Sequence, residues 1–299
     1  MLRHLKNLAL AALVAASGNA YSADTVFPAL DTAVDSGLQN AMHRSLRKLG
    51  LQRAVAEERL AVSLVDITDP HAPRMAQVNG DKMLYAASLP KIAILMGALQ
   101  KAEEGKLDLD AETRDKLTRM IRFSSNTAAT EMWYEVGEKY IADLLSSKDY
   151  QLYKPVHGGL WVGKPYGKQP AWKRDPQFNI SHGATAYEVS RFYYLLATNR
   201  LVSPRSCAIM KEMLSKPAIN HKFVSGISKV DPEARVYRKS GTWRTYHSDS
   251  AIIERGNKRY ILVALANDAN GGRWMERIAV EMDRLVTQAA PLIHVAAAQ

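Results

Sequence analysis

The chain carries a single cysteine, Cys207, in 299 residues. A lone thiol cannot close an intrachain disulfide, and it cannot supply a cysteine-rich metal site. Stability must then come from a packed core, which a chain of this length can bury. Cys207 stands in the helical pattern Ser206-Cys207-Ala208-Ile209-Met210 and reads as a small core filler rather than a nucleophile. The eight histidines show no H-E-x-x-H or paired spacing, so no metal site is expected. No G-x-S-x-G elbow supports a Ser-His-Asp triad. Gly158 to Lys164 mimics a phosphate-binding G-x-x-x-x-G-K, but Pro165 stands where Ser or Thr is required and no strand–helix frame surrounds it. No cofactor is therefore expected. Internal repeats and low-complexity tracts are also absent.

Long apolar runs are scarce as well. Leu8 to Ala16 falls well short of the roughly 20 residues a membrane span needs. With Arg3, His4 and Lys6 before it and Gly18, Ala20 and Ser22 after it, the segment 1–23 reads as a secretory signal peptide. Cleavage after Ala20 or Ser22 fits the small-residue rule, and a periplasmic or secreted location follows. Residues 24–299 are then one domain of ordinary globular composition, 47% hydrophobic and 23% charged over the whole chain. Removing Arg3 and Lys6 from the net charge of +10 leaves +8. Lys154, Lys164, Lys168, Lys173 and Arg174 gather in one loop-like region. No nucleic-acid motif accompanies them. A solvated basic face fits, and so does attraction of anionic envelope material or a carboxylate-bearing substrate. Nothing in the sequence requires more than a monomer.

Hydrophobic periodicity places the elements. Asp31 to Leu51 has helical spacing through Val34, Leu38, Met42, Leu46 and Leu49. Arg59 to Thr68 alternates like a strand, and Arg74 to Val78 returns as its hairpin partner. Ile92 to Leu99 is apolar almost all round, which predicts a central helix covered on every side. Helices are predicted over 110–122, 127–145, 184–198, 204–214 and 274–289, with strands over 234–242, 248–254 and 258–266. Ser147 to His182 has little periodicity but holds Tyr150, Tyr153, Trp161, Tyr166, Trp172 and Phe178, as an ordered active-site loop would. Trp161 and Tyr166 would either floor a cleft or pack the loop. The fold class is α/β in the α+β sense: an antiparallel sheet drawn from both chain ends, flanked by helices, with an all-helical lobe. The sheet lobe takes about 24–87 and 226–299, the helical lobe about 88–225.

Ser88-Leu89-Pro90-Lys91 opens the most apolar helix. A serine followed three residues later by lysine puts hydroxyl and amine on one helical face. A buried lysine whose pKa falls can serve as the base a serine nucleophile needs. Alone, the pair equally describes an N-cap and a solvated amine. Ser124-Ser125-Asn126 stands at a helix entry, and Lys239-Ser240-Gly241-Thr242 lies on a strand whose edge can pair with an extended substrate. Gly241 lets a ligand approach the backbone.

In this order and context the three motifs resemble the S-x-x-K, S-D-N and K-T-G set of the penicillin-recognising serine enzymes, most closely the class A β-lactamases. Phe123 to Met132 (FSSNTAATEM) resembles that family's helix entry. The resemblance implies a β-lactamase/transpeptidase-like fold and β-lactam hydrolysis through an acyl-enzyme. Ser88 would attack the carbonyl and Lys91 would take or relay its proton. Ser124 would pass a proton to the leaving nitrogen, Asn126 would hold the substrate amide, and Lys239 would hold Ser124. Ser240 and Thr242 would bind the substrate carboxylate. The N–H groups of Ser88 and Thr242 would form the oxyanion hole. Arg244 would add carboxylate attraction, or be a solvated arginine.

The pattern departs from the family at the release step. Class A enzymes use a loop glutamate to activate water, and Asp175 is the one acid between Asp149 and Glu188. Asp175-Pro176-Gln177-Phe178-Asn179 resembles the E-P-x-L-N loop with aspartate for glutamate, which would make Asp175 the base with Asn179 helping to hold the water. A turn-forming Asp-Pro with an Asx contact is the other reading. The stretch between Ser88 and Ser124 is shorter than is usual, which implies a more open cleft. A D-alanyl-D-alanine peptidase, an esterase and a non-turnover penicillin-binding protein use the same acylating groups and stay open.

Overall fold

Alternation of apolar residues at the two ends of the chain builds one sheet. The computed structural model describes residues 27–288, so the expected signal peptide, 1–23, lies outside the described residues. The first part holds α1 (Ser36–Lys48), α2 (Gln52–Ala56), β1 (Leu60–Asp66), β2 (Arg74–Val78) and β3 (Leu84–Tyr85). Four helices follow: α3 (Lys91–Glu103), α4 (Ala111–Arg122), α5 (Asn126–Val136) and α6 (Glu138–Ser146). A loop region carries the short strands β4 (Tyr153–Lys154), β5 (Gly158–Gly159), β6 (Trp161–Val162) and β7 (His182–Ala184). Helices α7 (Ala186–Ala197), α8 (Pro204–Leu214) and α9 (Phe223–Ser228) lead to β8 (Arg235–Trp243), β9 (Tyr246–Arg255), β10 (Lys258–Asn267) and α10 (Gly271–Thr287).

The main sheet runs β2-β1-β10-β9-β8, antiparallel throughout. The expected antiparallel sheet from both chain ends is therefore present. The pleat sorts β1 residue by residue. Leu60, Val62 and Leu64 join Leu38 and Met42 of α1 and Ile278 and Met282 of α10. Ala61 and Val65 join the larger core with Val189 and Phe192 of α7 and the helices beyond. Both faces are covered, so β1 is buried along its whole length. Each such valine or leucine contributes roughly 1.5–3 kcal/mol on burial.

The second core surrounds α3, buried from Lys91 through Leu99 as its all-round apolarity predicts. Lys91 is the polar exception. The helix expected over 127–145 is two helices. Gly137 has φ +89°, outside helical conformation, and separates α5 from α6. Side-chain caps fix several helix starts, among them Asp110 on Thr113 N–H and Ser125 on Ala128 N–H.

Two features of the fold position a site. First, β8 is the outer strand of the sheet, and its edge passes the turn before α3. Second, β3 pairs with β7, which ties the approach to Ser88 to the end of the 147–182 loop. No helix among the described residues is long and apolar enough to cross a membrane.

Candidate active site

Ser88 sits in the turn entering α3, half-buried, with Ala87 before it at φ +50°. A non-glycine residue in the left-handed region costs on the order of 1–3 kcal/mol, so the surrounding structure must impose it. Ser124 is held the same way, at φ +57°. It immediately precedes Ser125, the residue that caps α5 and frees Ser124 from that duty. Strain therefore flanks or occupies both hydroxyl-bearing turns.

The lysine of the first motif points into the second. Lys91 Nζ donates to the Ser124 carbonyl at 2.7 Å, Asn126 Oδ1 at 2.8 Å and the Ser125 carbonyl at 3.2 Å, with Ser124 Oγ at 3.5 Å. In this arrangement Lys91 serves Ser124 and Asn126. Burial lowers its pKa to about 7, so near neutral pH it is divided between amine and ammonium. Lys239 approaches from β8 and donates to Ser124 Oγ at 2.9 Å and to the Ser240 carbonyl at 2.9 Å. Burial, and then repulsion from Lys91, push Lys239 well below the ordinary lysine range. Two lysine amines thus converge on one serine hydroxyl.

Gly241 shows how closely β8 approaches Ser88. A Cβ there would lie 2.4 Å from the Ala86 carbonyl oxygen, 2.5 Å from Ser88 N and 2.7 Å from Ser248 Oγ. Only glycine fits. Ser248 Oγ donates to the Ala86 carbonyl at 2.7 Å and ties the sheet to the same turn. The cleft beside these groups has a volume of about 710 Å³ and is lined by Ser88, Asn126 and Thr242 together with Lys164, Tyr166, Arg174 and Trp243. Among the described residues no Asp or Glu lines it. Its charge favours an anionic ligand.

The structure thus brings Ser88, Lys91, Ser124, Asn126, Lys239, Gly241 and Thr242 together. Ser240 is buried in β8, where its carbonyl accepts from Lys239. Arg244 goes elsewhere. It lies on the β8–β9 turn at φ +52°, exposed, its guanidinium stacked 4.4 Å over the Trp243 ring. Arg244 is not among the residues that line the cleft, and its guanidinium lies over Trp243, which does line it.

Asp175 also parts from the cluster. Its carboxylate, in a residue 2% exposed, accepts from Tyr153 Oη at 2.5 Å through Oδ2, and from Gln177 N at 3.0 Å and Phe178 N at 2.5 Å through Oδ1. This is the Asx turn that an Asp-Pro pair favours. Both oxygens are engaged by Tyr153 and by the loop backbone, and Asp175 is not among the residues that line the cleft, so the structure places it as a loop fastener. Asn179 does line the cleft. Asp175→Asn is accordingly expected to lower unfolding free energy by about 1–3 kcal/mol, the cost of disturbing buried charge-assisted bonds. Chemical denaturation measures that loss, and the decay rate of any Ser88 adduct should stay within about twofold of the parent.

Two participants had no sequence signal. Lys222, buried just before α9, donates to the Gly241 carbonyl at 2.6 Å, Thr242 Oγ1 at 2.8 Å and the Ser248 carbonyl at 3.1 Å, and so fixes β8 against β9. Burial lowers its pKa to about 8. No motif marks a lone lysine between His221 and Phe223. His182 is the other. Its ring stacks on Tyr166 at 4.3 Å, and burial lowers its pKa to about 4, which keeps it neutral. The Lys164 carbonyl, 2.9 Å from Nε2, can only accept, so Nε2 carries the proton. The alternatives for Tyr166 prove compatible: the ring is buried in the loop and also faces the cleft.

Comparison with known proteins bears on the fold and the family. The family model described as "Beta-lactamase enzyme family" matches residues 43–114 and 111–290. No curated protein sequence matches the chain. Among solved structures, a β-lactamase from Sphaerobacter thermophilus is 18% identical, with TM-score 0.62 over 79% of this chain and 95% of that one. A β-lactamase from Chitinophaga pinensis is 14% identical, with TM-score 0.60 over 80% of this chain and 97% of that one. The protein PBP-A is 15% identical, with TM-score 0.61 over 83% of this chain and 95% of that one. At these identities the likeness is one of fold. The family match spans most of the sequence, and it converges with the sheet order and the serine–lysine cluster: the chain belongs to the beta-lactamase enzyme family.

Proposed function

We propose that this protein is an exported serine hydrolase that opens the amide of a β-lactam through an acyl-enzyme on Ser88. The observation that carries the reading is the convergence of Lys91 and Lys239 on Ser124 Oγ, beside Ser88 and an acid-free cleft. Ser88 Oγ bonds to the lactam carbonyl carbon and its proton passes to the Lys91 amine. The C–N bond then breaks, and the departing nitrogen takes the Ser124 hydroxyl proton, which the Lys91 ammonium formed in the first step replaces. The close passage of β8 past Ser88 N supports the Ser88 and Thr242 N–H groups as the oxyanion donors. A cleft lined by Lys164 and Arg174, and by no acid among the described residues, supports a substrate that carries a carboxylate. Export rests on the basic and apolar pattern of residues 1–23.

A specific observation also favours a second reading, a peptidase, esterase or non-turnover penicillin-binding protein acting on a peptidoglycan-like substrate. Release of the acyl group by water needs a base, and Asp175 is engaged with Tyr153. Burst kinetics with a chromogenic cephalosporin separate the readings. A burst of one equivalent followed by continued turnover supports the hydrolase. One equivalent and then silence supports the second reading. Folded enzyme that opens no cephalosporin overturns both.

The pH dependence of the burst has a definite sign. Lys91 accepts a proton only as the free amine, and its pKa is about 7. The burst rate should therefore rise about tenfold from pH 6 to pH 8 and then level off, because the free-amine fraction follows the lysine titration. Stopped-flow measurement across that range checks it.

A further inference from the structure

The acceptors of Lys91 Nζ all belong to the Ser124–Asn126 entry of α5, and another flank of the amine meets an aromatic face. The ring of Tyr166 lies over Nζ, its centroid 4.5 Å away. That ring is 9% exposed and firmly held. Thr130 Oγ1, on α5, accepts from Tyr166 N at 3.0 Å and donates to the Tyr166 carbonyl at 2.8 Å, clamping its backbone on both sides. His182 stacks on the ring at 28°, itself fixed by the Lys164 carbonyl. Tyr166 Oη reaches the carbonyl of Ala87, the residue before the nucleophile, at 3.5 Å. The ring therefore spans from the amine of the serine–lysine pair to the turn that carries the serine.

Hydrolysis of an ester on Ser88 needs room and a base at that place. A water oxygen must bond to the ester carbon, lose its proton to a base within about 3 Å, and let the bond to Ser88 Oγ break as Oγ takes a proton. Aspartate and glutamate are missing from the cleft lining among the described residues. Tyr166 itself is no substitute, since burial raises its phenol well above the ordinary tyrosine range.

We propose that Tyr166 is a positioning residue that sets the lifetime of the acyl-enzyme, its ring filling the space beside Lys91 where a hydrolytic water would stand. The inference rests on the acyl-enzyme reading above, and it deepens that reading: the acyl-enzyme forms, and its hydrolysis is slow because water is kept from the amine that could activate it. Of the side chains that flank Lys91, this one answers to size rather than to charge.

Benzylpenicillin is the test compound, and intact-mass spectrometry follows the decay of its adduct. Tyr166→Phe keeps the ring and is expected to keep the adduct lifetime within about twofold of the parent. Tyr166→Ala opens a ring-sized space beside a polar amine, which water can enter, and should shorten the lifetime at least about tenfold. Thr130→Val removes only the hydroxyl that clamps Tyr166 and should shorten it about threefold. That variant stands in if Tyr166→Ala fails to fold, as judged by its melting transition. An unchanged lifetime in folded Tyr166→Ala, or in Thr130→Val where it stands in, overturns the proposal. A parent protein that forms no adduct at all overturns the acyl-enzyme reading instead, so the two failures are distinguishable.

Discussion

Gly241→Ala should reduce the rate of β-lactam acylation by at least about 100-fold while the protein still folds. The added Cβ would fall 2.4 Å from the Ala86 carbonyl, 2.5 Å from Ser88 N and 2.7 Å from Ser248 Oγ, and two of these contacts are backbone atoms. The conflict cannot be relieved by rotating a side chain. The strand has to move away from the Ser88 turn, which separates Thr242 N–H from Ser88 N–H. Losing one oxyanion donor typically costs about 100- to 1,000-fold in rate. The fold should survive, because β8 is the outer strand and is held on its other side by nine residue pairs with β9. Overpacking of this kind costs roughly 1–3 kcal/mol. Burst rate and melting temperature measured together decide the matter. Acylation within fivefold of the parent would show that the approach of β8 to Ser88 is not what forms the carbonyl site.

Lys91→Met is expected to have a larger effect still, about 1,000-fold on acylation, in keeping with the loss of a general base. Methionine keeps the length and apolar stem of lysine and removes the amine, so α3 keeps its packing. The residual rate should also lose its inflection near pH 7, because the titrating group is gone. Stability carries the same signature with a definite sign. The folded pKa of Lys91 lies below the unfolded value of about 10.5. Between about pH 7 and 10.5 the unfolded chain thus binds more protons than the folded one, and this group makes stability rise with pH across that window. Denaturation at pH 7 and pH 10 should show the rise in the parent and a weaker one in Lys91→Met. A burst that keeps its pH 7 inflection in Lys91→Met would assign the titration to another group, Lys239 or Lys222.

The cluster of serines and lysines was legible in the sequence because each of its parts follows from a local rule. Ser88 and Lys91 are one helical turn apart, at the mouth of a helix whose apolarity demands burial, so the lysine is carried inward with it. Ser124 and Asn126 bracket a capping serine, which fixes the geometry of that turn. Lys239 and Gly241 lie on one face of an edge strand by the period of two. The sheet was legible for the same reason, since the alternation in β1, β9 and β10 needs no long-range information.

What escaped the sequence depended on partners far along the chain. Asp175-Pro176 has the local form of the family's base-bearing loop, but the direction of its carboxylate is set by Tyr153 Oη, 22 residues earlier. Nothing in the spacing of an irregular loop reveals that bond. Arg244 is decided by the hairpin, which places it at φ +52° and lets it stack on Trp243. Lys222 reaches Gly241 and Thr242 from the segment before α9, a contact the tertiary fold alone supplies. Tyr166 was visible as an aromatic in an ordered loop, yet its place over Lys91 follows from the clamp by Thr130, 36 residues away. Gly137 is different. Its glycine stood in plain view between two good helical patterns, and the left-handed break it permits divides them.

The proposed chemistry turns on Ser88 as the acylated nucleophile. Peptide mapping of the protein after exposure to benzylpenicillin tests it most directly. One covalent adduct is expected, carried by the peptide containing Ser88 and absent from Ser88→Ala. An adduct on another residue, or an equal yield of adduct in Ser88→Ala, would contradict it.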